Sequence, residues 1–148
     1  KAAAKALAKE RHKAKGHTRE LTEEELEMLY YEDEDFRVIL DLGPASKGHA
    51  LILPKAHAAN IYELSDDMAA KAMVLAKKMA SAMTEALKCD GFNIVQNNGE
   101  CAGQTVFHFH MHLIPRYNGD TVGITWKPGE LTDEDKEEIL SKVKAQLA

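Results

Sequence analysis

The sequence predicts an α+β domain: a mostly antiparallel sheet with a long helix against it and a shorter helix at its end. Three observations predict it. Runs rich in β-branched and apolar residues at Phe36–Asp41, Gly48–Pro54 and Phe92–Asn97 read as strands, and the short Gly-Pro link between the first two favours an antiparallel pair. From Ser65 to Lys88, apolar residues recur every three or four positions, the spacing of one helix face. From Thr105 to Arg116, residues alternate strictly between two kinds, the period of a strand.

The 148 residues suffice for one domain, or one domain with an appendage, around a real core. No apolar run approaches the ~18–20 residues of a membrane span, and no secretory pattern opens the chain. Cys89 and Cys101 are too few for a disulfide framework and read as free thiols of a reducing compartment, the cytoplasm. A formal charge of −5 argues against coating a nucleic acid polymer, but not against binding one nucleotide, whose phosphates are held by local loops.

In chain order, the first segment is unusual. Lys1 to Arg19 holds seven Lys and Arg against Glu10 alone, and Lys-Ala-Ala-Ala-Lys-Ala-Leu-Ala-Lys is a strong helix former with little to bury. Gly16 is its expected stop. His12 and His17 are five apart, off a common helix face, and read as solvated. Residues 1–29 are therefore expected as a basic N-terminal helical segment and 30–148 as the folded domain. Thr22 with Glu25 forms a capping box for a short helix to about Leu29, anchored by Leu21, Leu26, Met28 and Leu29. Tyr30 opens a strand that turns at the acidic cluster before Phe36.

Ser65 caps the long helix, with Asp66 and Asp67 where its dipole favours acids. Met68, Ala72, Leu75, Met79, Ala82, Met83 and Ala86 make a stripe that reads as core filling. Cys89-Asp-Gly91 ends the helix. Asn98 to Gln104 is a glycine-punctuated loop: an ordinary connection, or glycines that admit backbone N–H groups to an anion. After the turn at Tyr117–Asp120 and an irregular stretch holding Trp126, Thr132 and Asp135 cap a final helix with a narrow stripe of Ile139, Leu140, Val143 and Leu147.

The chemistry concentrates in Thr105-Val-Phe-His-Phe-His-Met-His-Leu-Ile-Pro-Arg116. On one strand, His108, His110 and His112 would stand on one face, about 6.5–7 Å apart. Phe107, Phe109, Met111 and Leu113 would be buried on the other. Three readings compete: a solvated polar face, for which Thr, Lys and Glu are commoner; a zinc site, although three i, i+2 rings on a straight strand diverge from one ion; and covalent catalysis by a neutral imidazole attacking phosphorus, its neighbours holding tautomer and phosphate.

His108-Phe-His-Met-His-Leu-Ile114 resembles the His-φ-His-φ-His-φ-φ signature, φ being apolar, of the histidine triad (HIT) superfamily of nucleotide hydrolases and transferases. The resemblance runs from about Tyr31 to Trp126. It includes Tyr31-Glu-Asp-Glu-Asp35, Asp41-Leu-Gly-Pro44, Gly48-His-Ala-Leu-Ile-Leu-Pro54, Asn97-Asn-Gly-Glu-Cys-Ala-Gly-Gln-Thr105 and Pro115-Arg-Tyr-Asn-Gly-Asp120. Blocks in this order are far more specific than one motif.

The resemblance, to the Hint-like branch, implies a HIT-like five-stranded sheet that pairs in a homodimer as a continuous ten-stranded sheet. It implies catalytic roles for His110, the nucleophile, for His108 and His112 on phosphate or leaving group, and for His49, a fourth active-site histidine. It places Asp41 on the ribose hydroxyls with Leu42 beside it, and Asn97, Gly103, Gln104 and Thr105 on the nucleotide. The substrate would be an AMP-like purine nucleotide, cleaved at its α-phosphate from an amine or a second nucleotide, with no cofactor and no metal. A nucleotide-binding module with little turnover, and a zinc-dependent hydrolase using the triad as ligands, are the rivals. His57 reads as structural. The C-terminal segment in that branch reaches the partner's site. The chain departs from the family at its start: many members carry Cys-x-x-Cys there, whereas here an EAAAK-like repeat resembles a designed helix. The expectation is an engineered N-terminus.

Overall fold

A computed structural model describes residues 21–148; the expected N-terminal helix, Gly16, His12 and His17 lie outside the described residues. The elements are α1 (Glu23–Met28), β1 (Leu29–Glu32), β2 (Phe36–Leu40), β3 (Ala50–Pro54), α2 (Asp66–Leu87), β4 (Gly91–Val95), a 3-10 turn (Glu100–Ala102), β5 (Met111–Arg116) and α3 (Asp133–Leu147). The strands form one five-stranded sheet in the order β1-β2-β3-β5-β4, every neighbour antiparallel. The α+β class and the antiparallel sheet with a long helix are as the sequence predicts.

Both faces of the sheet are covered, so β2 and β3 are buried almost throughout. On one face Ala72, Leu75, Ala76, Met79 and Met83 of α2 pack with Phe36, Val38, Ala50, Ile52, Met111 and Leu113. On the other, Ile39, Leu51, Leu53 and Val106 form a smaller cluster covered by Met28 and Leu29. The capping box forms: Thr22 Oγ accepts the Glu25 N–H at 3.1 Å and Glu25 Oε1 accepts the Thr22 N–H at 3.1 Å. Leu26 does not anchor this helix and is 55% exposed. It lies two residues, about 200°, from Met28, on the opposite side of so short a helix.

Ser65 caps α2 by accepting the Met68 N–H. Its other end closes earlier than Gly91, on Lys88 in the left-handed region (φ 55°). Ala82 and Ala86 are exposed rather than packed in the core. The largest departure among the helices is α3. Thr132 caps it as expected, but no residue of α3 is buried, and Ile139, Leu140, Val143 and Leu147 are all about half exposed or more. Its stripe exists, and nothing among the described residues covers it.

The expected strand Thr105–Arg116 is also shorter: β5 begins at Met111. The reason is competition for backbone groups. β3 pairs with β5 only at Ala50↔Leu113, Leu51↔His112 and Ile52↔Met111. Beyond that point the Phe109 N–H donates to Ala58 O instead, drawing residues 105–110 to the loop after β3. His108, His110 and His112 therefore do not form an even row along one strand.

Gly48 sets the entry to β3. Its φ is +94°, and a Cβ there would lie 2.5 Å from Leu87 Cδ1 and 3.4 Å from Pro115 Cγ. Gly48→Ala should therefore lower stability by about 1–3 kcal/mol, combining backbone strain with overpacking against α2. Urea unfolding of the two proteins measures this; an unchanged midpoint would refute it.

Candidate active site

Strand alternation determines which residues meet. His112 lies between Met111 and Leu113, which face α2, so His112 faces the other side of the sheet. Its register partner is Leu51, of the opposite cluster, and His49 lies two residues before Leu51, on that same side. The two rings meet: His49 Nε2 is 2.9 Å from His112 Nδ1. His110 stands next to them, its ring centroid 5.0 Å from that of His112 in an edge-on arrangement.

Backbone partners assign the protons. A carbonyl only accepts, so the 2.8 Å contact of His110 Nδ1 with His108 O places a proton on Nδ1 and leaves the lone pair on Nε2. An amide N–H only donates, so the 2.9 Å contact from Ala45 leaves His49 Nδ1 bare and puts its proton on Nε2. His49 Nε2–H then donates to His112 Nδ1, and the proton of neutral His112 sits on Nε2. Asp41 Oδ2 lies 3.7 Å from His49 Nε2, while its Oδ1 accepts the Gly43 N–H at 2.8 Å.

His108 is placed differently from its neighbours. It is fully buried. Its Nε2–H donates to Pro54 O at 3.2 Å, so Nδ1 accepts, and His57 Nδ1–H is the donor across 3.1 Å. Expected to bond phosphate or leaving group, His108 uses both nitrogens inside the protein and reaches His110 through its carbonyl. His57 is the structural residue the sequence indicates, and its pairing with His108 had no sequence signal.

Burial holds the site histidines in the neutral form. Desolvation is the main cause of the lowered pKa of His49, His110 and His112, the last brought down to about 4, against partial compensation from Asp41. For His110 the carbonyl of His108 also compensates.

His49, His112 and Asn97 line one cleft of about 440 Å³, walled by Val95 of β4 and by residues 121–124. Those last residues have no regular structure, and a bidentate pair holds them. Arg116 Nε and Nη2 bond Asp120 at 2.9 and 2.8 Å, Nη1 bonds Asn93 Oδ1 at 2.8 Å, and Nη2 reaches Val122 O at 3.2 Å. The larger groove of about 660 Å³, between Tyr30, Leu40 and α2, contains none of these histidines.

Of the remaining expected residues, Gly103 (φ +99°) packs against Asn97, where a Cβ would lie 3.5 Å from Nδ2. Gln104 turns inward: it is 2% exposed, its amide donates to Ala59 O and Val106 O, and its Oε1 accepts the Gly99 N–H. The N–H groups of Gly99, Ala102, Gly103 and Gln104 are all used within this loop. Thr105 and Leu42 are exposed.

Among the described residues, one set of side chains has metal-ligand spacing: Asp41, His49 and His112, with donor atoms within 4.8 Å, rather than the three triad rings. A ligating nitrogen must be deprotonated. The Ala45 N–H keeps the proton of His49 on the very nitrogen that faces the others, so this set is built for a hydrogen-bonded chain and does not fit an ion.

The fold and the site define an α+β protein with a cluster of neutral imidazoles, two of which line a cleft. The HIT domain model matches residues 22–119, and the chain belongs to that family. It is 42% identical to the Hit protein of Bacillus subtilis over 121 residues, 80% of this chain and 83% of that one. An adenosine 5'-monophosphoramidase of Schizosaccharomyces pombe is 43% identical over 110 residues, 71% of this chain and 80% of its own length. Among solved structures, a Streptococcus mutans protein superposes with a TM-score of 0.78 at 38% identity, covering 82% of this chain and 77% of that one.

Because the three rings are neutral when folded, acid favours the unfolded chain, whose histidines bind protons at about 6.5. Stability should be constant above pH 6.5 and fall as pH drops from 6.5 toward about 4, where His112 itself titrates. The urea midpoint of the wild type should decrease between pH 7 and pH 5, and His112→Gln should flatten that slope. An equal slope in both proteins would count against the assignment.

Proposed function

We propose that the protein hydrolyses nucleotide esters and amides at the α-phosphate through a nucleotidyl-histidine intermediate. The strongest support is the state of His110: half-buried, neutral, its Nδ1–H on a carbonyl and its Nε2 lone pair unengaged among the described residues. Nε2 attacks the α-phosphorus of an AMP-like nucleotide, the P–Nε2 bond forms, and the bond from phosphorus to the leaving group breaks. His110 becomes a cationic imidazolium phosphoramidate, and the 2.8 Å hydrogen bond its Nδ1–H donates to His108 O stabilises the new charge. As that bond breaks, His112 Nε2–H passes its proton to the departing atom, and the imidazolate charge left on His112 is held by the His49 Nε2–H donated to its Nδ1 and by the adjacent His110 cation. Water then attacks phosphorus, returns a proton to His112 and restores His110. Asp41 is the proposed ribose contact, with Asn97, Gly103 and Thr105 toward the phosphate. Relatives named as AMP-phosphoramidases support the substrate class. An amine leaving group is the preferred reading, with a second nucleotide the alternative.

His110→Ala should abolish hydrolysis of adenosine 5'-phosphoramidate, a loss of at least about 10⁴-fold by analogy with other removed nucleophiles, while leaving far-UV circular dichroism unchanged. A quenched wild-type reaction should carry one AMP on His110 by mass spectrometry. Undiminished turnover by the variant overturns the covalent route. Arrest of the wild type by chelators favours a zinc hydrolase, and affinity without turnover favours a binding module.

The same reading includes a homodimer in a reducing, cytoplasmic setting. β4 is a sheet edge with Ile94 41% exposed, and the 660 Å³ groove beside α2 is lined by Tyr30, Leu40, Met79, Met83 and Leu87. A second copy pairing antiparallel along β4 would continue the sheet to ten strands. No helix among the described residues is long and apolar enough to cross a membrane. Light scattering should give twice 16.4 kDa, and Ile94→Lys should shift the mass to that of one chain. A wild type that is monomeric at all concentrations would refute it.

A further inference from the structure

We propose that residues 121–124, pinned over the cleft by the Arg116–Asp120 pair, form a wall that selects by size the group attached to the α-phosphate, with Gly123 leaving room for a bulky one. The proposal deepens the nucleotidyl-transfer reading and rests on it for which end of the substrate enters the cleft.

The strands place the pieces. His112, Ile114 and Arg116 are two residues apart on β5, so they share one face. Their register partners on β4 are Val95, Asn93 and Gly91. His112, Ile114 and Val95 line the 440 Å³ cleft, and Val122, Gly123 and Ile124 wall it. These wall residues belong to no helix or strand, so no ladder fixes them. Instead, both backbone groups of Val122 are taken by the ion pair. Its N–H donates to Asp120 Oδ1 at 3.3 Å, and its carbonyl accepts from Arg116 Nη2 at 3.2 Å. The pair is itself anchored at both ends. Arg116 Nη1 donates to Asn93 Oδ1 at 2.8 Å, and Asp120 Oδ2 accepts the Tyr117 N–H at 2.9 Å. Arg116, with those N–H groups, holds the Asp120 carboxyl well below the usual carboxylate range, so the pair stays charged. A two-pronged guanidinium–carboxylate contact is directional as well as attractive, and here it sets where the wall stands.

The position and chemistry of the wall fit the departing side of the scissile bond. On the proposed reading Asp41 meets the ribose, and Asp41 is not part of the cleft lining. His112, which hands its proton to the departing atom, is. The departing group therefore extends past Asn97 toward Val95, Ile114, Val122 and Ile124. That lining is largely apolar and, among the described residues, includes no Lys or Arg. An uncharged hydrocarbon body on an amine suits it better than a further run of phosphates, which would lose water without gaining a cation. The volume lies within the range of about 300–1,000 Å³ usual for small-molecule sites. Gly123 keeps part of it open. A Cβ there would meet no atom of the described residues within 4 Å, and the backbone is outside the left-handed region, so a larger side chain is tolerated without strain.

Two ligands and a small set of variants of the full chain test the wall. The ligands are AMP and adenosine 5'-(N-benzyl)phosphoramidate, whose benzylamine stands at the leaving position. Both are titrated calorimetrically in the His110→Ala background, where the nucleophile is missing. Gly123→Phe fills the open space and should weaken the benzyl amide about 10-fold or more relative to AMP. Arg116→Met keeps an unbranched side chain but releases the wall. It should also cost the benzyl amide about 10-fold relative to AMP, because the wall must then be ordered on binding. Asp120→Asn removes the charge from the other half of the pair and should shift the ratio the same way. Each readout is a ratio of two ligands on one protein, which a general loss of stability would not move. No binding of the benzyl amide, an unchanged ratio in Gly123→Phe, or an unchanged ratio in whichever clamp variant folds overturns the proposal. With His110 restored, Gly123→Phe should lower kcat/KM for the benzyl amide about 10-fold or more relative to unsubstituted adenosine 5'-phosphoramidate. A wild type inert toward both amides, with the binding ratio still shifted by Gly123→Phe, would support the wall and sink the nucleotidyl-transfer reading.

Discussion

The site depends on the register of β3 against β5. Three residue pairs carry it, and the middle one is Leu51↔His112. A slip of one residue would turn His112 toward α2 and send Met111 or Leu113 to the opposite face, since alternate side chains point to opposite sides. The hydrophobic cores prevent that slip, because Met111 and Leu113 are buried against the long helix and Leu51 against the short one. The same packing that stabilises the domain therefore fixes which face carries the imidazoles. His49 joins them because it precedes Leu51 by two residues, and because Gly48 adopts a backbone conformation that any side chain would strain.

Within that frame, three backbone groups fix ring-nitrogen roles in the histidine cluster. Ala45 N–H, Pro54 O and His108 O each contact one ring nitrogen and leave no choice of tautomer. Burial completes the arrangement by disfavouring the charged form, so that each ring keeps one bare and one protonated nitrogen. The two effects reinforce each other. A neutral ring in a poorly solvated place must satisfy each nitrogen separately, once as donor and once as acceptor, so fixed backbone partners become specific instructions.

Much of the fold was legible in the sequence because it rests on local periodicity. The period-two runs became β2, β3 and β4, the period of three to four became α2, and Thr22, Ser65 and Thr132 cap their helices by the expected bonds. The apolar side of the histidine segment was equally legible: Phe109, Met111 and Leu113 are all in the core. What was not legible depends on partners far along the chain. Nothing near Phe109 announces that its N–H goes to Ala58, and so nothing announces that the strand fails before Met111. His108 looks equivalent to His110 and His112 in the sequence, yet Pro54 O and His57 make it an interior residue. Gln104 carries the same lesson, since its neighbours at Gly99, Ala59 and Val106 take all the hydrogen bonds its side chain was expected to offer a ligand.

The broken strand accounts for the hydrogen bonding of the histidines. Had β5 continued upstream in the same register, Phe109 would lie opposite Pro54, and the ladder would compete for the backbone carbonyls near that pair. Because pairing stops at Ile52↔Met111, Pro54 O and His108 O remain available, and each takes a ring N–H of the histidine segment in place of an amide. Buried carbonyls must find donors. Here the donors are imidazoles, so satisfying the backbone and assigning the protons are one event. An uninterrupted strand would have displayed three similar histidines in a row. The interruption makes them unlike: one held in the interior, one with a bare Nε2, and one with its proton on Nε2.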